Sequence, residues 1–425
     1  MKKQKGCWTC SMVMVLALIF SFIIVPQPAM AAEETVVIGL NYPETGPYSK
    51  QGLDQKRAAD LAVEEINTAG GILGKKIRLV YRDTKSNPKI AKENALELFD
   101  KEGAQMILGG SSSAVAIASG KVAKAKKKLF FGTLTYSTET TGEEGHKYIF
   151  RQCYDSRMAA KVLSGYLKKN FSGKKYFYIT ADYTWGWTTE EAFRKFTDTT
   201  DKERHKGFLN RLGTDDFKKV LNLAEETKAE VLVLVQFGKD MEIAVKQAYE
   251  MGLKKKMQIV VPNMTIDMAE GAGPEAMEGV LSATDWYWKL PLEENYSKGI
   301  AFVKKFEEKY KRYPSTSGAS AYVILHQYKE AVERAKAFDT LPVIDALEGY
   351  KYTGVKDEQE WRDWDHQSIQ TVYAIKMKKP EEVNKDKYHL DYYEIINKMK
   401  GEDAAINYND WGAMRTAIDA SLNLE

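Results

Sequence analysis

The chain has 425 residues, of which 44% are hydrophobic and 28% charged, and its formal net charge at pH 7 is +3. The 62 basic and 59 acidic residues nearly balance and are interspersed, so they create no extended field suited to a nucleic acid or an acidic membrane. This length exceeds what one hydrophobic core usually supports, and two domains are expected.

The first residues predict a secretory signal peptide. Three lysines within the first five residues precede an apolar run, Met12–Val25, and Ala29–Ala31 supplies a small-residue cleavage site. The apolar run has roughly 14 residues, fewer than the ~20 that a membrane-spanning helix needs. We therefore expect residues 1–31 to be removed and the mature chain to begin at Ala32.

The cysteines argue against a lipid anchor. Cys7 and Cys10 lie before the apolar run, whereas lipid attachment needs a cysteine directly after it. Only Cys153 remains after cleavage, which excludes an intrachain disulfide or a cysteine-rich metal site and favours a small buried apolar residue. An exported protein without an anchor is retained only where an outer barrier encloses it, so we expect a periplasmic location.

Short β-branched or aromatic runs alternate with amphipathic helical patterns through most of the chain. The predicted strands are Val36–Leu40, Ile77–Arg82, Gln105–Leu108, Leu129–Thr133, Lys175–Thr180, Gly207–Leu212, Glu230–Gln236 and Gln258–Val261. Helices are predicted between them, and this alternation is typical of parallel sheets with helices on both faces. Because the polar segment Glu139–Ile149 interrupts the pattern, we expect an α/β fold with two doubly wound open sheets, each of about four or more strands.

The last third is less regular and predicts several crossings between the two sheets. Its expected elements are a strand, two helices, a Trp-rich charged segment and a further strand, at Val280–Ala283, Tyr296–Lys311, Ser320–Ala337, Lys356–Asp365 and Ile369–Lys376. We assign residues 32–152 and 284–352 to lobe 1, and residues 153–283 and 353–425 to lobe 2, joined by a multi-crossover hinge. The tail Tyr392–Glu425 carries a helical pattern, and its place in the fold is left open.

Polar and small residues follow three of the predicted strands, at Asn41–Ser49, Gly109–Ser113 and Thr133–Ser137. Ligands of doubly wound sheets bind beyond the carboxyl ends of the strands. Glycines there let the backbone approach a ligand, and serines at a helix N-terminus suit a carboxylate, although ordinary N-capping is the alternative for Ser111–Ser113. The glycine-rich and Walker patterns of nucleotide sites are absent at the strand–helix junctions.

Several blocks resemble one known family. Thr45–Tyr48, Ile66–Gly74, Asp83 with the Asn-Pro pair that follows it, and Asp182–Gly186 are similar to the type I periplasmic solute-binding proteins, which include leucine/isoleucine/valine-binding and amide- or urea-binding proteins. The resemblance extends to about Lys378. It implies a protein that captures a small polar organic ligand by hinge closure and delivers it to the permease and ATPase subunits of an ABC importer.

The resemblance also implies the site residues. The family's carboxylate-binding loop corresponds to Ser111 and Ser112, and its second anion contact falls at Thr135 and Tyr136. The acidic residue that helps to hold an ammonium group corresponds to Asp155. On these grounds the first half of the chain is expected to bind an acid group and to supply one carboxylate to a ligand amine.

Two aromatic residues are implied as walls of the site, Trp185 and Phe237. The glutamate that completes ammonium binding in the amino-acid binders follows a proline, whereas here Pro262 is followed by Asn263. Burying an ammonium group without a carboxylate partner costs on the order of several kcal/mol of binding free energy. This departure favours an amide, a urea-like or hydroxylated compound or an aromatic acid over an aliphatic amino acid, and Asp155 keeps the amino acid open.

Two further clusters allow more than one interpretation. Asp285–Trp288 is expected either as an aromatic lip over the ligand or, more in keeping with its position after a strand, as hinge or core packing. Trp361–His366 contains residue types used in catalysis, but we interpret it as a salt-bridge and packing element beside the hinge.

Other functions are less compatible with the sequence. The five histidines are scattered and form no zinc-binding pair, and no Gly-x-Ser-x-Gly elbow is present, so we expect neither an enzyme nor a metal or other cofactor. A soluble sensor that docks on a separate receptor is the alternative, since this fold class also serves sensing. The protein is expected to be monomeric, and its ligand and permease are left open.

Overall fold

The computed structural model describes residues 34–425, together with Met1 and Gly6. The predicted signal peptide and its cysteines otherwise lie outside the described residues. The strands within 34–425 are β1 (Thr35–Tyr42), β2 (Lys76–Asp83), β3 (Met106–Gly109), β4 (Leu129–Gly132), β5 (Ile149–Arg151), β6 (Tyr176–Ala181), β7 (Gly207–Asn210), β8 (Val231–Val235), β9 (Gln258–Val261), β10 (Leu281–Thr284), β11 (Lys351–Thr353), β12 (Glu358–Trp361), β13 (Ser368–Ile369), β14 (Val372–Met377) and β15 (Tyr393–Met399).

The α-helices of the same region are α1 (Ser49–Thr68), α2 (Pro88–Asp100), α3 (Ser113–Lys126), α4 (Ser156–Phe171), α5 (Thr184–Phe196), α6 (Lys218–Glu226), α7 (Gly238–Glu250), α8 (Ile266–Ala272), α9 (Pro274–Met277), α10 (Leu290–Glu293), α11 (Ser297–Tyr310), α12 (Thr316–Ala335), α13 (Thr340–Leu347), α14 (Pro380–Val383), α15 (Gly401–Ala404) and α16 (Tyr408–Thr416). Within residues 34–425, none of these helices has both the length and the apolar character needed to cross a bilayer.

The first sheet has the order β2-β1-β3-β4-β5, and all its strands are parallel. Strands β3 and β4 are buried throughout, as expected for strands covered by helices on both faces. Every strand predicted for this region is confirmed, and β5 is an additional short strand that begins at the end of the polar segment Glu139–Ile149.

The second sheet has the order β15-β14-β10-β9-β8-β6-β7. Its strands are parallel from β7 to β10, but β14 runs antiparallel to β10, and β15 runs antiparallel to β14. The predicted α/β fold with two open sheets is therefore confirmed, with an antiparallel edge on the second sheet. The assignment of residues to two lobes stays a prediction.

The tail corrects one prediction from the sequence. The helical pattern from Tyr392 was wrong for its first part, because Tyr393–Met399 forms strand β15 against β14. Beyond it, α16 reaches the segment that precedes β5: Trp411 Nε1 donates to the carbonyl of Thr141 at 2.9 Å, and Arg415 donates to the carbonyl of Gly145 at 2.9 Å. The end of the chain thus joins an edge of the second sheet to the loop before the last strand of the first.

The charged segment near residue 361 serves packing, as predicted. Arg362 forms an ion pair with Asp365 at 2.6 Å, and His366 Nε2 lies 2.9 Å from a carboxylate oxygen of Glu348. The His366 ring stacks on Phe150 with ring centroids 3.8 Å apart. Arg362, Asp365 and His366 are therefore all engaged with neighbouring side chains.

Asp285–Trp288 also follows the packing interpretation. Trp286 donates to the carbonyl of Val355 at 3.3 Å, and Trp288 stacks on Tyr313 with centroids 3.7 Å apart. All four residues of the segment are buried. The two tryptophans contact the connecting segments, whereas Asp285 accepts a hydrogen bond from the backbone N–H of Tyr154 at 3.3 Å, beside the candidate site described below.

Candidate functional site

The candidate site begins where β3 and β4 end. Gly109, the last residue of β3, has a φ of +145°, and a Cβ there would lie 2.0 Å from the carbonyl oxygen of Asn41. Only glycine allows this close approach of β3 to β1. The chain then places Ser111 and Ser112 at the start of α3, beside the residues that follow β4.

Ser111 belongs to a buried hydrogen-bond chain with helix α1. Gln55 Nε2 donates to Ser111 Oγ at 2.6 Å, and Thr133 Oγ1 lies 2.9 Å from Gln55 Oε1. All three side chains are less than 5% exposed. The amide of Gln55 therefore links the ends of β3 and β4 through one hydroxyl on each.

Ser112 occupies the N-cap position of α3, but its side chain makes no capping hydrogen bond. Ordinary N-capping, the alternative that the sequence left open, does not account for this hydroxyl. Ser113 Oγ instead accepts a hydrogen bond from the backbone N–H of Ser137 at 2.9 Å, which ties the start of α3 to the segment after β4.

Thr135 and Tyr136 follow β4 and are both buried. The Thr135 hydroxyl pairs with that of Thr140 at 2.6 Å, and its backbone N–H donates to Cys153 Sγ at 3.1 Å. Cys153 is a buried free thiol, as expected. Tyr136 Oη has no hydrogen-bond partner, and burial raises the pKa of this phenol well above its usual value, so it stays protonated and able to donate.

The second sheet contributes Trp185, Phe237 and Asn263. Trp185 lies in the first turn of α5 after β6, Phe237 caps α7 after β8, and Asn263 follows β9. All three are at most 3% exposed. Residues that follow three neighbouring strands of this sheet thus lie at its carboxyl edge.

Four aromatic rings join the two sheets. Phe237 contacts Tyr48 with ring centroids 5.3 Å apart, Tyr136 at 5.7 Å and Trp185 at 5.9 Å, each close to edge-to-face. Tyr136 follows a strand of the first sheet, and Tyr48 precedes α1. We call these four residues the aromatic cluster. Such edge-to-face pairs stabilise by about 0.5–1.5 kcal/mol each beyond their buried area.

Tyr48 is a site residue that the sequence reasoning did not single out. It is fully buried, and its hydroxyl pairs with that of Tyr183 at 2.9 Å. Gly238 leaves space for the Tyr48 ring to pack against Phe237, since Gly238 has a φ of +58° and a Cβ there would lie 2.5 Å from the Tyr48 ring. The residue stood within the Thr45–Tyr48 block that carried the family resemblance, and that block was the available signal.

One hydrogen bond determines what Asn263 can offer. Trp185 Nε1 donates to Asn263 Oδ1 at 3.2 Å, and Asn263 Nδ2 has no hydrogen-bond partner. Because an indole N–H only donates, it sets the orientation of the amide, and the free group is the donor. Burial raises the pKa of the neighbouring Tyr154 phenol, and hydrogen bonding from the Asn263 side chain opposes this rise, so Nδ2 also faces the Tyr154 hydroxyl.

Asp155 is already paired. Its Oδ2 accepts a hydrogen bond from Arg151 Nη2 at 3.0 Å, and its Oδ1 caps α4 by accepting from the backbone N–H of Met158 at 2.8 Å. Both charged side chains are almost fully buried. The expectation was a carboxylate available to a ligand ammonium, whereas here the charge is compensated by an arginine of the same segment.

Further polar contacts join the two sides around the aromatic cluster. Lys50 forms an ion pair with Glu242 at 2.8 Å, and Gln51 Nε2 donates to Asp267 Oδ2 at 3.2 Å. Burial, followed by repulsion from Asp54, raises the pKa of Asp267 to about 7. Helix α1 thus carries residues that contact α7 and α8, and the two carboxyl edges are closed on each other.

Across residues 34–425, no group of three or more His, Cys, Asp or Glu side chains is arranged to hold a metal ion. Among the side chains of the candidate site described above, the buried polar atoms left without hydrogen-bond partners are Tyr136 Oη, Asn263 Nδ2 and Gln51 Oε1. Together with the aromatic cluster, these groups offer hydrogen bonds and an aromatic wall to a bound molecule.

Residues 35–383 match the family described as periplasmic binding protein. The Leu/Ile/Val-binding protein homolog 4 of Brucella melitensis is 25% identical over 360 residues, which cover 80% of this chain and 83% of that relative. An amino acid binding protein of Pseudomonas aeruginosa is 27% identical over 334 residues, covering 77% and 86%.

A solved structure agrees with the sequence matches. The crystal structure of a periplasmic binding protein from Burkholderia mallei has a TM-score of 0.80 and 28% identity to this chain. The match covers 88% of this chain and 97% of the other. The segment after residue 383, with β15 and α16, lies outside the family match.

Proposed function

The chain belongs to the periplasmic binding protein family, type I, of ABC transporters, and we propose on this premise that it is the solute-binding component of an ABC importer. It would work in the periplasm, close on a small organic ligand between the carboxyl edges of its two sheets, and deliver it to permease and ATPase subunits. The family is one of transport proteins that bind substrates, in line with a site built of hydrogen-bonding groups and aromatic rings.

The ligand group next to Asn263 is a hydrogen-bond acceptor. The observation that carries this inference is the bond from Trp185 Nε1 to Asn263 Oδ1, which occupies the oxygen and leaves the donor Nδ2 as the side of the amide that a ligand would meet. An ammonium has only donors and cannot pair with Nδ2. A carbonyl, a hydroxyl oxygen or a carboxylate can.

The compensated charge of Asp155 points the same way. A ligand ammonium would need a free carboxylate, and Asp155 already holds Arg151 at 3.0 Å. The relatives named above are a Leu/Ile/Val-binding protein homolog and an amino acid binding protein. By the family resemblance, amino-acid binders carry a glutamate at the position that Asn263 occupies in this chain. We therefore propose a small acid, hydroxy acid or aromatic acid without a required α-ammonium, resting on the aromatic cluster.

The test compares ligands that differ in one group. Leucine, its α-hydroxy acid analogue, benzoate and benzamide are titrated by calorimetry, with a thermal-shift screen first. The hydroxy acid or benzoate should bind at least about tenfold more tightly than leucine, because a charge facing an unmatched donor costs more than about 1.4 kcal/mol. Asn263→Glu should reverse the order of leucine and its hydroxy acid.

The outcomes separate the two parts of the proposal. Tight leucine binding by the wild type, improved further by Asn263→Glu, would show that the ligand class is wrong while solute binding stands. A wild-type protein that binds no member of the panel, and carries no small molecule in native mass spectrometry, would contradict solute binding itself.

A further inference from the structure

Gln55 makes an unusual link at the base of the candidate site. It is fully buried in α1, and its amide contacts one hydroxyl at the end of each of two neighbouring strands: Nε2 lies 2.6 Å from Ser111 Oγ, and Oε1 lies 2.9 Å from Thr133 Oγ1. It stands one turn after Gln51, which reaches Asp267 on the other side. Gln55 therefore sits on the face of α1 that meets the ligand edge of the sheets.

The direction of these bonds decides what Ser111 can do. A serine hydroxyl has one proton and two lone pairs. When Gln55 Nε2 donates to Ser111 Oγ, it occupies a lone pair and leaves the Ser111 proton for another acceptor. Thr133 supplies the matching proton to Gln55 Oε1, sharing it with the carbonyl of Gly109 at 2.9 Å.

We propose that Gln55 is a positioning residue that keeps the Ser111 hydroxyl as a donor to a ligand carboxylate, and that it thereby sets the preference of the site for acids over the corresponding amides. The inference rests on the proposed solute-binding function and deepens it. Gln55 itself touches Ser111 and Thr133 and acts on the ligand through Ser111.

A carboxylate and an amide differ in whether they carry hydrogen-bond donors, and a site that offers only donors distinguishes them on that basis. A carboxylate presents acceptors only, whereas the NH₂ of an amide donates and finds no partner at a donor. Ser111 on the first sheet and Asn263 Nδ2 on the second both offer donors. Two separate amide side chains, Gln55 and Asn263, therefore favour a ligand rich in acceptors.

The opposite orientation of the Gln55 amide makes a contrary prediction. Nε2 would then donate to Thr133 Oγ1, whose proton would go to Gly109, and Ser111 would donate to Gln55 Oε1. The Ser111 proton would be used within the protein. Removing the amide would release that proton and strengthen acid binding, whereas under our proposal it would weaken acid binding.

The experiment measures the affinity ratio of benzoate to benzamide by calorimetry in wild type, Gln55→Met and a matched control, Gln327→Met. Gln327 is a buried glutamine of α12 that donates to Glu330. We expect Gln55→Met to lower the ratio by about three- to tenfold, the size of one oriented hydrogen bond, and Gln327→Met to leave it unchanged. The change should vanish in a Ser111→Ala background, because coupled residues are not additive.

Each result decides the question. A ratio that rises in Gln55→Met supports the opposite orientation and overturns the proposal, as does a ratio that stays constant while both affinities fall, which indicates packing alone. A Gln55→Met effect that persists without the Ser111 hydroxyl overturns it too. If the wild type binds leucine but neither benzene compound, the ratio is measured with leucine and leucinamide. If the wild type binds only the α-hydroxy acid analogue of leucine, the ratio is measured with that acid and its amide, and binding of none of these compounds contradicts the proposed function together with this inference.

Discussion

Replacing Asp267 by Asn should stabilise the protein at alkaline pH and leave it little changed in acid. Asp267 is buried on α8, accepts a hydrogen bond from Gln51 at 3.2 Å and faces Arg312, whose Nη2 lies 3.8 Å from Oδ1. The other titratable groups facing it include Asp54 of α1 and Glu270 of its own helix, both acidic, and the phenol of Tyr393. Burial, with the charge of Asp54, raises its pKa from 3.8 to about 7.

Proton linkage gives the direction in which the stability of the wild type changes with pH. The unfolded chain releases this proton near pH 4 and the folded chain only near pH 7, so the wild type loses stability as pH rises between these values. A difference of about three pKa units corresponds to about 4 kcal/mol, at about 1.4 kcal/mol per unit. Of this total loss of stability, about 2–3 kcal/mol occurs between pH 5 and pH 8. Asn keeps an acceptor for Gln51 and has no proton to lose.

Urea denaturation followed by circular dichroism measures this effect. The free energy of unfolding of Asp267→Asn minus that of wild type should increase by about 2–3 kcal/mol from pH 5 to pH 8 and then level off. Asp345→Asn, an exposed carboxylate on α13, is the matched control and should show no such rise. A difference for Asp267→Asn that is constant with pH would refute the reasoning, since the buried carboxylate would then be charged at pH 5 as well.

Three further predictions concern contacts elsewhere. Gly238→Ala should lower the free energy of unfolding by about 1–3 kcal/mol more than Gly252→Ala, since both glycines have positive φ but only the first meets a side chain within 4 Å. Trp411→Ala should cost about 3–5 kcal/mol of unfolding free energy in urea, whereas Trp187→Ala, half-exposed, should cost little. Cys153 should react with a thiol reagent only on unfolding, because it is buried and burial raises the pKa of its thiol; rapid labelling of native protein would contradict this.

The strand ends of the site could be predicted from the sequence because hydrophobic periodicity places them. Ser111 and Tyr136 come two and four residues after the ends of the buried strands β3 and β4, and parallel strands bring their carboxyl ends to one edge. Trp185, Phe237 and Asn263 were assigned by resemblance to the family, and they meet at one edge for the same reason. Hydrophobic periodicity does not show which of their atoms lack hydrogen-bond partners, because that depends on side-chain rotamers and on neighbours distant in the sequence.

The contacts of Asp155 and Tyr48 could not be predicted from the hydrophobic periodicity of the sequence. Asp155 pairs with Arg151 four residues earlier, but the two are separated by the end of β5 and a crossing rather than by a helical turn, so the familiar helical spacing gave no ground for expecting the pair. Tyr48 contacts Phe237 only because Gly238 leaves space for it. Strand β15 was read as helix since its half-exposed residues lack a clear two-residue alternation.

The ligand class depends on the direction of hydrogen bonds more than on the kinds of residue present. Serine, threonine, tyrosine and asparagine can each donate or accept, so a sequence that names them leaves the ligand's polarity open. Trp185 removes that freedom from Asn263 because an indole can only donate, and Trp185 belongs to the aromatic cluster on which we propose that the ligand rests. Substituting Trp185 by Phe would keep much of the aromatic surface and release the amide. Asn263 could then turn its oxygen toward a ligand ammonium, so Trp185→Phe should narrow the preference for the hydroxy acid over leucine, while a variant that lost only packing would weaken both ligands alike.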